Sequence, residues 1–133
     1  MDRHMDLQDL IDGMGTRMQR ERAETQITLG KLIATLEAMP EGSEVVNLHR
    51  AHSYRGYYSD LAFQLGGGTR KATDLLQECK AAMGQVFGGY KGGDFMMGAL
   101  TPVWIAAYGN CGQKLMALHA GCEIETARDD YDI

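Results

Sequence analysis

Thr101-Pro102-Val103-Trp104-Ile105-Ala106-Ala107-Tyr108, then Gly109-Asn110-Cys111-Gly112, then Gln113-Lys114-Leu115-Met116-Ala117-Leu118-His119, is the stretch on which the fold class turns. Two extended runs around a short Gly/Asn connection signal a β-hairpin. Upstream, Phe95-Met96-Met97 reads as a further strand, joined to the hairpin through Gly98-Ala99-Leu100. Residues 58–65 alternate as a half-buried strand does, and end at the turn-forming triplet Gly66-Gly67-Gly68. Residues 44–48 carry a Val45-Val46 pair that favours another short strand. Two helices separate these segments. Residues 28–39 place Leu29, Leu32, Ile33 and Leu36 on one face, with Thr28 as N-cap and Pro40 as the stop. Residues 73–83 place Leu75, Leu76 and Cys79 together. The pattern predicts an α+β fold: a small antiparallel sheet with two packed helices and an additional N-terminal helix. That helical arm covers about 5–24, where Leu7, Leu10, Ile11, Met14 and Met18 recur at helical intervals despite Gly13 and Gly15, and an acidic tail that frays covers about 123–133.

At 133 residues the chain has the length of one domain, and 44% hydrophobic with 23% charged residues is the balance of a globular protein able to bury a core. No apolar run approaches the ~20 residues of a membrane helix, and the opening residues lead into no signal-peptide apolar core, so a cytoplasmic protein is expected. Cys79, Cys111 and Cys122 are odd in number and lack metal-ligand spacing, which favours reduced thiols. The formal net charge of −5 argues against a long nucleic acid as partner. Its distribution is uneven, however: residues 45–120 hold seven basic and four acidic residues, leaving the excess of acid on the flanks. A locally basic, aromatic, glycine-rich centre suits one small anion.

Two motifs carry that suggestion. In Phe87-Gly88-Gly89-Tyr90-Lys91-Gly92-Gly93-Asp94-Phe95, two glycine pairs bracket a Tyr-Lys and aromatics close the ends. Glycine backbone can approach a ligand closely, and consecutive N–H groups make an anion nest. A plain glycine-rich hairpin connection is the competing structural reading. In His52-Ser53-Tyr54-Arg55-Gly56-Tyr57-Tyr58, aromatic faces and a guanidinium suit a nucleobase and a phosphate. Here the competing reading is tyrosines at the rim of the core. The roles expected are Arg55 as phosphate clamp, Tyr57 and Phe87 as stacking surfaces, and Lys91 as a point charge beside Tyr90. Gly89 and Gly92 supply N–H groups, and Asp94 accepts from ribose hydroxyls or an amine. Trp104 and Tyr108 are read as core residues.

Catalytic chemistry is harder to assemble. His49 and His52 are three apart without a third ligand, and Cys111 has no histidine tied to it by a motif. The glycine run has neither the P-loop nor the dinucleotide-fingerprint order. Asp60, Glu78 and Asp94 have no spacing that brings them together as a magnesium site. The expectation is therefore no catalytic residues, no metal and no cofactor.

The order of His52–Tyr58 with Leu61-Ala62-Phe63, the Phe87–Phe95 run, Thr101-Pro102-Val103-Trp104 and Tyr108-Gly109-x-Cys111-Gly112 resembles small phage-encoded proteins. In particular it is similar to the first type of Thoeris anti-defence protein, over approximately residues 28–119. The resemblance implies a sponge that sequesters cyclic ADP-ribose signals and, in some members, cyclic oligonucleotides, silencing bacterial immunity without turnover. It implies an α+β protomer in dimers or a hexamer, with pockets partly between subunits, and it carries over Arg55 and Phe87 as contacts. The chain departs from that pattern at Gly66-Gly67-Gly68-Thr69-Arg70, where relatives have a longer connection, and this bears on ligand choice. Two other classes stay open: a small nucleotide-processing enzyme using Asp60, Asp94 or a histidine, and a protein-binding inhibitor of a host enzyme that docks through exposed tyrosines.

Overall fold

The computed structural model describes residues 26–54, 60–88, 94–107 and 112–128, with backbone alone at 88, 94 and 95. The elements run α1 (Leu29–Glu37), β1 (Glu44–Ser53), β2 (Leu61–Lys71), α2 (Ala72–Ala82), β3 (Val86–Gly88), β4 (Asp94–Met96), β5 (Val103–Ile105), β6 (Gln113–Leu118) and β7 (Ile124–Arg128). The fold is α+β. A five-stranded sheet has the order β1-β2-β5-β6-β7, and β3 and β4 form a separate two-stranded sheet.

The sheet is mixed, whereas the sequence predicted an antiparallel one. β2 and β5 run parallel, with Ala62 opposite Trp104. A parallel return needs a long crossover, and α2 with the β3–β4 hairpin supplies it. The other neighbours are antiparallel, including the expected β5–β6 hairpin. The acidic C-terminal segment was expected to fray, but its residues Ile124–Arg128 form β7 on β6. Its cross-strand hydrogen bonds outweigh the unfavourable local composition. The expected N-terminal helix at 5–24 lies outside the described residues.

The glycine triplet does not end β2 either. Val46 faces Thr69 and Leu48 faces Leu65, so the triplet lies inside β2 as an irregularity, with Gly68 at φ 74°. Positive φ costs glycine little, so the chain swells outward there and resumes pairing.

Both helices pack on one face of the sheet. Thr28 caps α1 as read from sequence, its hydroxyl accepting from Lys31 N–H at 3.2 Å. The start of α1 is laced to the segment before β5: Leu29 N–H donates to Thr101 C=O and Gly30 N–H to Ala99 C=O. A Cβ at Gly30 would stand 2.9 Å from the Ala99 oxygen, so only glycine permits this approach. Leu29, Leu32 and Leu36 of α1 join Leu75 and Cys79 of α2, Val45 and Leu48 of β1, Leu61 and Phe63 of β2, Val103 of β5 and Leu115 of β6 in the main core. Arg70 clamps α2 to the sheet by donating to Glu78 and to Leu48 C=O, each at 2.6 Å. At the far side, Gly121 N–H in the β6–β7 turn donates to Glu44 C=O at the start of β1. This bond ties the β6–β7 turn to the start of β1. No helix among the described residues is long and apolar enough to cross a membrane.

Candidate functional site

Side chains alternate across a strand, so the apolar residues under the helices leave a second sheet face to be built by the others. Register defines it: His52 of β1 faces Ala62 of β2, Ala62 faces Trp104 of β5, Trp104 faces Lys114 of β6, and Lys114 faces Ala127 of β7. Directly opposed residues share a face. One row across five strands thus carries an imidazole, an indole and an ammonium, all buried.

A bulge sets the first member. Between His49 opposite Gln64 and His52 opposite Ala62, β1 has one residue more than β2, and Arg50 there has φ 55°. A non-glycine residue in the left-handed region is uncommon. The extra residue reverses the alternation and delivers His52 to the second face instead of the core. Its ring nitrogens lie 2.9 Å from Ser53 C=O and 2.9 Å from Ala106 C=O. A neutral ring donates to one of these carbonyls, a protonated ring to both.

The aromatic pair at the centre is the best-defined part. Tyr54 stacks on Trp104 with ring centroids 4.1 Å apart and planes 5° from parallel. The indole N–H donates to the Asp60 carboxylate at 2.8 Å. Tyr54 N–H donates to Asp60 C=O at 2.8 Å, closing the chain on either side of 55–59. The Tyr54 hydroxyl accepts from Gly112 N–H at 3.1 Å. Tyr54, Ala62, Trp104 and Ala106 form a second hydrophobic cluster apart from the main core. Trp104, expected in the core, is buried here, with its polar edge satisfied as a buried indole requires.

Of the ligand residues read from sequence, Arg55, Tyr57, Gly89, Tyr90, Lys91 and Gly92 lie outside the described residues. Tyr108 and Cys111 do too. Asp94 opens β4, where it pairs with Gly88. Phe87 is half-buried and packs against the main core, on the β3 strand that contacts β1. The glycine motif is therefore flanked by a hairpin, with Val86 opposite Met96 and Phe87 opposite Phe95. The strands that enter the two motifs touch.

Sequence reasoning singled out neither Tyr54 nor Lys114 as a site residue, and assigned Trp104 to the core. One signal was available: Asp60 sits directly before the apolar Leu61-Ala62-Phe63, where an acid is either paired or at a strand end. Among the described residues no group of three or more His, Cys, Asp or Glu is placed to hold a metal ion. Cys79 and Cys122 are free thiols, Cys79 buried and Cys122 exposed. Burial pushes the Cys79 thiol up from 9.0 to about 12; the Glu78 charge adds to this and Arg70 opposes it. It is a packing group, since a nucleophilic thiol needs the opposite shift. Comparison of the chain with protein-family models, curated proteins and solved structures gives no match.

Proposed function

We propose that this chain binds and sequesters a small cyclic nucleotide signal, of the cyclic ADP-ribose or cyclic oligonucleotide kind, without cleaving it, as a phage-type immune-evasion sponge. The observation that carries the reading is the anchoring of the residues that flank the Arg55 motif. Tyr54, Asp60 and Trp104 close the chain on both sides of residues 55–59 with one backbone and one side-chain hydrogen bond and a ring stack. A ligand held tightly needs contacts fixed before it arrives, because each group ordered on binding subtracts from affinity. Arg55 then clamps phosphate, Tyr57 and Phe87 stack on rings, and the glycine run with Lys91 answers the remaining negative charge. Contact between β1 and β3 supports a single site for the two motifs.

Two of the acid–base groups an enzyme would use are already engaged. The Asp60 carboxylate holds the indole N–H, and His52 lies against two backbone carbonyls. This favours binding over turnover. The protein acts in the host cytoplasm as a homo-oligomer, a dimer or hexamer, in which a neighbouring copy completes the pocket.

The test is recovery. Protein incubated with cyclic ADP-ribose, freed of unbound ligand and then heat-denatured should release the intact molecule. Release of a product of altered mass would make the chain an enzyme, and no release from this or a panel of cyclic oligonucleotides would remove the reading.

A further inference from the structure

We draw no further inference here: the strongest candidate, the exposed apolar patch that Val86 and Met96 form opposite one another on the β3–β4 hairpin, carries none because nothing in the structure shows what covers it.

Discussion

The two faces of the central sheet are built from the same strands by opposite means. Under the helices, Leu61, Phe63, Val103 and Leu115 meet Leu32, Leu36 and Leu75 in an apolar core that is indifferent to the direction of any one contact. On the other face, His52, Trp104 and Lys114 stand in one row with Tyr54 and Asp60 beside it, each buried. Area alone stabilises the first, roughly in proportion to what is removed from water. The second demands a partner for every polar atom and tolerates little rearrangement. A protein that needed only to fold would gain from making both faces alike. The directional, polar face also ties together the described residues on either side of 55–59, through Tyr54 and Asp60.

Substitutions can break this comparison. The largest effect is expected in the core: Phe63→Ala should lower stability by about 3–5 kcal/mol, measured by urea unfolding. It should destroy ligand retention only through unfolding. Trp104→Phe should cost less, about 1–3 kcal/mol, because it keeps most of the apolar ring and removes the N–H held by Asp60. Its loss of ligand should exceed its loss of stability; the reverse order would make the polar face merely a second core. Tyr54→Phe should cost only about 1 kcal/mol, since it keeps the ring stack and takes away the acceptor of Gly112 N–H.

Cys79 sharpens the contrast from the core side. Site-resolved alkylation should label Cys122 and leave Cys79 unmodified until the protein unfolds. Because its folded thiol is pushed from 9.0 up to about 12, the unfolded chain gives up this proton first, so the term from Cys79 lowers stability as pH rises through that interval. Cys79→Ala should flatten this part of the pH profile. The smallest effect is at Ser53, whose buried hydroxyl has no hydrogen-bond partner among the described residues. Ser53→Ala should be neutral or stabilising by up to about 1 kcal/mol, since it removes a desolvated group that gains nothing.

The helices and the β5–β6 hairpin were legible because local signals and tertiary structure agree there. Thr28 and Pro40 bound α1, and its apolar spacing is the face it buries. The parallel β2–β5 pair was not legible, since period-2 alternation is the same in either direction. β7 was hidden by its acidic composition, and the β2 irregularity by three glycines that also spell a turn. The polar face was the hardest to foresee. A one-residue bulge at Arg50 decides which way His52 points, and nothing in the identity of Arg50 announces a positive φ. Asp60 lies 44 residues from Trp104 and Tyr54 58 residues from Gly112, and these pairs meet only through the parallel pair.

Native mass spectrometry of the protein mixed with cyclic ADP-ribose tests binding without turnover most directly, since it reports assembly and cargo together. The account predicts an oligomer carrying the intact ligand in the wild type and an oligomer of the same size without it in Arg55→Ala. An unliganded wild type, a ligand of altered mass, or equal retention by Arg55→Ala would contradict it.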